Sequence, residues 1–345
     1  MNKNTPLVSI IIVNYNGKKF LEDCFHTLQK ITYLNFEIIL IDNNSTDNSV
    51  DFIKNKYPST IIIKLEKNYG FAYPNNVGAK NAKGDFLLFL NNDTKVHPDF
   101  ISEMVNVLKK DPKIAISQSM LLKPNGDIDS SGDFIDLIGN GYSSKEKIND
   151  IREILSARGA SMMIRKEIFD KLKGFDEKFF VSFEDVDLGW RAWIFGYKVV
   201  VIPNSIVYHI GGQTIKKMRT ELSFHGFKNI LAMKITNFEP KFAILTIFLF
   251  FVLGGIRLLR IMFDYRFKGS TNALTYEKTP VTKPSIRSIL RGISWIFSNY
   301  RYLIHKQKWI NSHRVFHTTD LHKKNVIRSP FPSRFENFLL YIRKI

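Results

Sequence analysis

The polar residues that follow the run Phe86–Leu90 are the first candidates for chemistry in this sequence. The run FLLFL is continuously apolar and too short for a helix, which indicates a strand buried on both faces. Asn91, Asn92 and Asp93 come directly after it, so their side-chain oxygens would lie at the carboxyl edge of a sheet, where open α/β folds bind ligands. Such oxygens suit a hard divalent cation and the phosphates it carries. The alternative is a turn in which Asn and Asp cap the next helix.

Three other apolar runs also end in polar residues. The polar groups are Asn14-Tyr15-Asn16, Asp42-Asn43-Asn44-Ser45 and Asn68-Tyr69-Gly70. Because the carboxyl ends of parallel strands meet in one crevice, turn chemistry alone is an insufficient explanation. Tyr15 could stack on a base, Asp42 could accept a hydrogen bond from a base or a ribose, and Asp93 could bind a metal held by phosphate. Neither GxGxxG nor GxxxxGK[ST] occurs, which disfavours dinucleotide-binding and P-loop proteins.

Strand and helix patterns alternate along the first part of the chain. Strands are predicted at 8–13, 36–41, 60–65, 86–90, 114–120, 159–164 and 197–202, and helices at 18–31, 47–57, 75–82, 98–110 and 184–195. Asp47 is the predicted N-cap of the second helix. This alternation predicts an α/β fold with a mostly parallel sheet flanked by helices. Residues 123–150, rich in Gly, Ser, Asp and Asn, are predicted to form a long functional or mobile loop.

Charge is distributed unevenly along the 345 residues. Residues 1–209 contain 26 Lys+Arg and 26 Asp+Glu, whereas residues 210–345 contain 24 and 6, so the whole net charge of +18 lies in the C-terminal part. The two parts are therefore expected to have different partners. Cys24 is the only cysteine, which excludes an intrachain disulfide and favours a reducing compartment. The N-terminal apolar run lacks a small-residue cleavage site and is predicted to be a strand, not a secretory signal.

Five separated motifs together resemble one enzyme family. They are VSIIIVNYNG, IDNNSTD, NYGFAYPNNVGAKNAKGDFLLFLNNDT, GASMMIRKEIFDKLKGFDEKFFVSFEDVDLGWRAWIFGY and VYHIGG. In this order they resemble the family 2 glycosyltransferases with the GT-A fold, and most of all the bacterial rhamnosyltransferase-type enzymes that build surface polysaccharides. The resemblance implies a GT-A domain at 1–238. It also implies inverting transfer of a sugar from dTDP-rhamnose or a UDP-sugar to a lipid-linked glycan.

The resemblance also assigns roles to individual residues. Asp42 matches the family's base-binding acid, with Tyr15 at the stacking position. The metal motif DxD falls on Asn91-Asn92-Asp93, and His209 matches a histidine that completes a Mn²⁺ or Mg²⁺ site. Pro74 and Asn75 stand where many relatives have Gly. The predicted donor contacts are Asn14, Tyr15, Asp42, Asn68, Gly70, Asn76 and Asn92, and the predicted metal ligands are Asp93, His209 and Asn91.

The resemblance places the family's general base in the pair Glu184-Asp185, and we assign Asp185. A carboxylate suits this role because an inverting transfer needs a base to take the acceptor's proton. Its alternative role is that of a helix N-terminal acid. Asp187 and Arg191, four residues apart, are predicted to form an ion pair. Arg158 either helps with phosphate or braces its loop, and Trp190 is either core or sugar platform. The predicted acceptor contacts are Glu184, Asp176 and Trp190.

Residues 239–345 are predicted to form a basic, helical, membrane-associating region. Phe242–Ile256 is uncharged and largely apolar, but as a helix its 15 residues would extend only about 22 Å against a hydrocarbon core of about 30 Å. Residues 286–304 are basic, aromatic and amphipathic. We therefore expect peripheral or monotopic attachment to anionic lipid at the cytoplasmic face of the inner membrane. A membrane span and an ordinary helical subdomain are the alternatives.

Two other functions are compatible with parts of the sequence. The basic, aromatic tail could bind nucleic acid, although the apolar run Phe242–Ile256 would have no use on such a surface. A catalytically inactive, transferase-like assembly subunit is the second alternative, because Asn91 replaces the first acid of the metal motif. The QxxRW signature of processive synthases is absent. This absence favours the addition of one sugar or a few. The apolar run Phe242–Ile256 disfavours a nucleic-acid partner, and we expect none.

Overall fold

The computed structural model describes residues 5–211, 219–268 and 286–328. Residues 269–285 and 329–345 of the predicted membrane-associating region, and Gly212 of the VYHIGG motif, lie outside the described residues. The chain divides into two compact units. The first comprises Met1–Phe134, Tyr142–Gln213 and His313–Phe316, and the second comprises Ile135–Gly141, Thr214–Ser312 and His317–Ile345.

One half of the large sheet in the first unit is entirely parallel. Its strands are β1 (Val8–Asn14), β2 (Phe36–Asp42), β3 (Ile61–Lys64) and β4 (Phe86–Leu90), in the spatial order β4-β1-β2-β3. The intervening helices are α1 (Lys18–Leu28), α2 (Ser49–Lys56) and α3 (Ala72–Asn81). All five residues of β4 are buried, as expected for a strand covered on both faces. The order reverses at β1, whose two neighbours β4 and β2 lie on opposite sides of it.

The other half of the sheet is mixed. Strand β11 (Ser161–Arg165) runs antiparallel between β4 and β6, and β6 pairs in parallel with β12. The remaining elements as far as His209 are β5 (Thr94–Val96), α4 (Phe100–Lys110), β6 (Ile114–Leu122), β7 (Ile128–Ser130), β8 (Asp133–Asp136), β9 (Gly141–Ser143), β10 (Arg152–Glu153), α5 (Lys166–Lys171), a 3-10 turn (Glu177–Phe179), α6 (Glu184–Ile194) and β12 (Lys198–His209). Most paired residues lie in parallel ladders, so the predicted α/β class with a mostly parallel sheet is confirmed.

Three local predictions differ from the structure. Asp47 does not occupy the N-cap of α2. Asn48 takes that position with φ +58°, while Asp47 accepts hydrogen bonds from the backbone of Lys18 and Ser49. Strand β12 continues through Pro203 because an irregularity between Ile202 and Ile206 absorbs the proline. The predicted loop 123–150 contains three short strands: Ile128–Ser130 pairs with β6, and Asp133–Asp136 pairs with Gly141–Ser143.

The second unit is largely helical. Its helices are α7 (Arg219–Asn237), α8 (Pro240–Lys268), α9 (Ile286–Ser298), α10 (Tyr300–Ser312) and α11 (Thr318–Lys323), and β13 (Ile327–Arg328) pairs with Ile135-Asp136. Helix α7 packs against α8, α9 and α10, and Gly292 permits the close approach of Phe227. For this reason α7 belongs to the second compact unit, whereas the sequence-based boundary at 238/239 assigned it to the first. None of the described helices combines the length and hydropathy needed to cross a bilayer.

Candidate active site

The carboxyl end of β2 carries an acid with an unused hydrogen-bonding position. Asp42 is 3% exposed, and its Oδ2 accepts a hydrogen bond from Ser45 N at 3.2 Å. Its Oδ1 is buried and has no hydrogen-bond partner among the residues that the structure describes. A buried carboxylate oxygen without a partner is costly, which makes it a ready acceptor for a ligand N–H or O–H group. Tyr15, which follows the adjacent strand β1, is 45% exposed and available for stacking.

The loop after β3 is held against β2 by an amide network. Asn43 Nδ2 donates to Asn68 Oδ1 (2.9 Å) and Gly70 O (2.8 Å), and its Oδ1 accepts from Tyr69 N. Gly70 has φ +80°, and a Cβ at this position would overlap the carbonyl oxygen of Phe180. Asn68 and Gly70, which are predicted to contact the sugar donor, are therefore fixed beside Asp42. Asn43, for which no role was predicted, fixes them.

A second amide network joins β1 to the end of β4. Asn14 is fully buried. Its Nδ2 donates to Ser45 Oγ and Ser49 Oγ, and its Oδ1 accepts from Asn92 Nδ2 at 2.8 Å. Since Asn14 also lies opposite Asp42 in the β1–β2 ladder, this network brings the Asp42 end of the site next to the Asn92-Asp93 end. Asn14 and Asn92 thus brace the crevice in this structure, and direct contact with a donor stays a prediction for both.

Asp93 and His209 meet at the edge of the sheet. His209 Nε2 lies 3.4 Å from Asp93 Oδ1 and 3.4 Å from Asn91 Nδ2, and Gly211 N donates to Asp93 Oδ2. Among the residues that the structure describes, no three His, Cys, Asp or Glu side chains form a metal site. The donor set nevertheless fits a cation that takes its remaining ligands from a diphosphate, because Mg²⁺ is commonly bound by one or two carboxylates plus substrate phosphates.

His209 has its second ring nitrogen occupied by a carboxylate. Its Nδ1 lies 3.0 Å from Asp129 Oδ2, a pairing that orients imidazole ligands in many metal sites. Burial lowers the pKa of His209, but hydrogen bonds to Asp129 and Asp93 outweigh this effect and raise the pKa to about 9. A cation and a proton would therefore compete for Nε2.

The segment predicted as a loop at 123–150 supplies two acids to this edge. Arg158 donates to Asp129 Oδ2 (3.3 Å) and, through two nitrogens, to both oxygens of Asp133 (3.1 and 3.2 Å). Burial raises the pKa of Asp129, but its hydrogen bond to His209 and the charge of Arg158 bring the net pKa below its ordinary value. No role was predicted for Asp129 or Asp133, although the high density of Asp in this segment could have indicated a charged cluster. Two roles were predicted as alternatives for Arg158, phosphate binding or bracing of its loop. In the structure its side chain braces the loop through Asp129 and Asp133.

Asp185 occupies the first turn of α6, and both of its carboxylate oxygens are fixed. Oδ2 accepts from Gly159 N (3.2 Å) and Oδ1 from Val186 N (2.8 Å). Burial and, after it, the charge of Asp133 raise the pKa of Asp185 to about 6, while the Gly159 hydrogen bond and the charge of Arg158 oppose the rise. Because Asn91 N donates to Ala160 O, the segment that orients Asp185 is bonded directly to the metal motif.

The other residues predicted to contact the donor or the acceptor are buried or form hydrogen bonds within the protein. Trp190 is fully buried in α6, which agrees with the core alternative, and its contact with the acceptor stays a prediction. Asp176 caps the 3-10 turn by accepting from Lys178 N, and Glu184 is 6% exposed. Asn76 is bonded to Phe175 N and O and to Glu177, so it ties α3 to that turn. The Asp187–Arg191 ion pair is confirmed, at 2.8 Å and almost fully buried.

The fold is of the α/β class, and the comparisons with known proteins indicate a glycosyltransferase. Residues 9–173 match the family model described as glycosyl transferase family 2, which supports a glycosyltransferase domain in this part of the chain. The O-antigen biosynthesis protein RfbC of Myxococcus xanthus is 31% identical over 223 residues, which are 60% of this chain. This chain spans only 17% of the length of that relative.

A relative of similar size and a solved structure extend the comparison. Glycosyltransferase GlyG of Streptococcus pneumoniae serotype 4 is 25% identical over 244 residues, covering 66% of this chain and 78% of that protein. The mannosyltransferase PcManGT from Pyrobaculum calidifontis, solved with GDP-Man and Mn²⁺, superposes with a TM-score of 0.55 at 15% identity. It covers 90% of this chain and 86% of its own. At this identity the likeness establishes the fold, and the predicted GT-A-like architecture is confirmed.

Proposed function

We propose that this chain is a cation-assisted, inverting glycosyltransferase. It would move a sugar from a nucleoside-diphosphate donor to a hydroxyl of a lipid-linked glycan during bacterial surface-polysaccharide synthesis. The observation that carries the proposal is the buried Oδ1 of Asp42, which lies at the carboxyl end of β2 and has no hydrogen-bond partner among the described residues. Hydrogen bonds from Asn92 to Asn14 and from Asn91 to Ala160 connect the segment of Asp93 to this strand end and to the segment that holds Asp185. The name of the relative RfbC supports the polysaccharide context, and the bound nucleotide sugar and Mn²⁺ of PcManGT support the donor class and the cation.

The donor would bind along the strand ends. Asp42 Oδ1 would accept a hydrogen bond from the base or the ribose, and the exposed ring of Tyr15 would stack on the base. Asp93 and His209, with Asn91 beside them, would hold a divalent cation, which neutralises the charge of a departing nucleoside diphosphate. Asp129 would keep the His209 ring oriented for this role.

The acceptor would be activated by Asp185. Its carboxylate is fixed by Gly159 N and Val186 N, so one orientation is prepared before the acceptor arrives. The proton of the attacking hydroxyl would pass to Asp185 as that oxygen bonds to the anomeric carbon and the diphosphate leaves from the opposite face. Attack in line with the leaving group inverts the anomeric configuration.

We propose further that the second unit attaches the enzyme to the cytoplasmic face of the inner membrane. Five large apolar side chains are exposed on α8, and they repeat at helical spacing on one face: Ile244, Leu245, Phe248, Phe251 and Val252. The C-terminal part of the chain also carries the entire positive excess. An apolar stripe in a basic region is the combination that favours anionic lipid surfaces.

Nucleotide binding tests the central proposal. In a thermal-shift panel of UDP, dTDP, GDP and their sugars with Mn²⁺, we expect a pyrimidine nucleotide to stabilise the protein. A ligand at about 100 times its Kd contributes about 2.7 kcal/mol. Asp42→Ala should abolish the shift, whereas Asp51→Ala, on the exposed side of α2, should retain it. If no nucleotide stabilises the wild-type protein in the presence of Mn²⁺, the proposal is wrong.

A further inference from the structure

Arg158 links two parts of the site that lie in separate segments of the chain. Its guanidinium donates to Asp129, which holds His209, and with two nitrogens to Asp133. Its backbone N donates to Gln118 Oε1 at 2.7 Å, which fixes the segment on β6. The proposed mechanism uses none of the three side chains Arg158, Asp133 and Gln118 as a contact to substrate.

The residues on either side of Arg158 orient the base. Ser156 Oγ donates to Asp185 O at 2.8 Å, and Gly159 N donates to the Asp185 carboxylate. Ser156 also exchanges both backbone hydrogen bonds with Asp133. The four residues from Ser156 to Gly159 therefore contact the base half of the site through their backbone and Ser156 Oγ, and the cation half through the side chain of Arg158.

The charges in this cluster are placed to affect Asp185. Asp133 and Arg158 act on Asp185 in opposite directions: the charge of Asp133 raises the pKa of Asp185, and the charge of Arg158 lowers it. Arg158 also neutralises Asp133 by a bidentate contact, the strongest geometry for a carboxylate partner. Loss of Arg158 would remove a positive charge from Asp185 and expose it to the full charge of Asp133.

We propose that Arg158 is a positioning residue that couples the proposed cation ligands Asp93 and His209 to the proposed base Asp185. It does so through two separate contacts, one to Asp129 and one to Asp133. The inference rests on the proposed function. The contact from Asp129 to His209 sets the orientation of the imidazole, and the Ser156–Gly159 segment sets the orientation of the Asp185 carboxylate. Arg158 holds both in register.

Three variants test the contacts of Arg158 with Asp129 and with Asp133 separately. Asp129→Asn should weaken Mn²⁺ binding in the presence of UDP about 10–100-fold, the usual cost of losing an outer-shell partner, and leave the acid limb of the pH–rate profile in place. Asp133→Asn should move that limb to lower pH and leave Mn²⁺ binding within about twofold. Arg158→Ala should weaken Mn²⁺ binding and also move the acid limb of the pH–rate profile, in this case to higher pH. Calorimetric titration of Mn²⁺ provides a measurement that does not require turnover.

Arg152→Ala is the matched control. Arg152 braces the same segment by donating to Ser131 O and Ser144 Oγ, and it touches neither Asp129 nor Asp133. It should lower thermal stability without changing Mn²⁺ affinity or the pH profile. The inference is overturned if Arg158→Ala behaves like Arg152→Ala, or if Arg158→Lys, which keeps the charge but loses the fork, matches the wild type in both measurements.

A third measurement separates this inference from the proposed function. The carboxyl pKa of Asp185 can be followed by NMR on ¹³C-aspartate-labelled protein, with Asp185→Asn identifying the resonance. Arg158→Ala should raise that pKa and Asp133→Asn should lower it, whether or not the protein transfers sugar. Unchanged titration in both variants would refute the coupling, whereas a shifted titration without any nucleotide binding would refute only the proposed function.

Discussion

Asp185 is the residue whose environment has the clearest functional consequence. Its pKa is raised to about 6, first by burial and then by the charge of Asp133. A general base must be ionised, so at Mn²⁺ concentrations that saturate the site and displace the proton from His209, activity should be retained above pH 6 and lost below it. We predict that log(kcat/KM) falls with a slope of about one per pH unit below pH 6, and that Asp185→Asn lowers kcat about 10²–10⁴-fold. Initial-rate measurements from pH 4.5 to 9 check both expectations.

The same shift has an opposite consequence for stability. The folded protein holds the Asp185 proton more tightly than the unfolded chain, where Asp has a pKa near 3.9. The resulting stabilisation is complete below pH 4 and is lost as the pH rises through 6. Asp185→Asn should therefore unfold at the same urea concentration as the wild type, or a higher one, at pH 8. A much lower midpoint would contradict a buried carboxylate that favours its protonated form.

At the scale of single residues, strand ends were predictable and the supporting acids were not. Asp42 and Asp93 follow apolar runs directly, so the pattern of the sequence places them at the edge of a sheet. Asp129 pairs with a histidine 80 residues away, and Asp133 with an arginine 25 residues away. No local pattern encodes such pairs, because tertiary folding alone brings them together.

At the scale of elements, the parallel half of the sheet was predicted closely because its strands are locally encoded. The predicted range 86–90 is the observed β4, and β1 and β2 are each one residue longer than predicted. Strands β7, β8 and β9 were missed because each has only three or four residues and lies in a polar segment. Their pairing partners, rather than their own hydrophobic pattern, make them strands.

Gly70 provides a test of how the loop after β3 is built. Its φ of +80° and the nearby Phe180 carbonyl oxygen leave no room for a side chain. Its N–H and C=O groups are bonded to Asn68 and Asn43. We predict that Gly70→Ala lowers the free energy of unfolding by more than the roughly 1–2 kcal/mol expected from a left-handed residue alone. It should also weaken nucleotide binding, and urea denaturation with calorimetry measures the two effects.

Gly126 is the matched control for this prediction. It has φ +88°, and a Cβ added there would meet no atom within 4 Å. Gly126→Ala should therefore show only the conformational cost and leave nucleotide affinity unchanged. Equal losses for the two substitutions would mean that crowding by Phe180 does not shape this loop.

At the scale of the whole molecule, charge separates the chain into parts that the compact units largely follow. All of the positive excess lies beyond residue 209, and most of the chain beyond that point, from Thr214 onward, belongs to the second unit. Inside that unit some cations are not at the surface: Lys228 is buried with its Nζ 4.5 Å from the Trp295 ring, and Lys234 lies 4.3 Å from the Phe250 ring. The sequence predicted the charge asymmetry but could not tell which lysines would be internal.

The exposed stripe on α8 allows the membrane proposal to be tested in the intact protein. Phe248 is 62% exposed and Phe251 is 44% exposed, so replacing either with Ser removes apolar surface without opening a cavity. Burial of a Phe side chain contributes about 1.5–3 kcal/mol. We predict that each substitution weakens cosedimentation with anionic phosphatidylglycerol vesicles by about tenfold, while Leu34→Ser, at an 86% exposed apolar site in the first unit, has no effect. Neutral phosphatidylcholine vesicles should bind the wild type less, and added salt should release it. If the wild type binds neither kind of vesicle, the membrane proposal is wrong. If Phe248→Ser instead converts a dimer to a monomer in sedimentation velocity, the stripe is a protein interface and not a lipid-binding face.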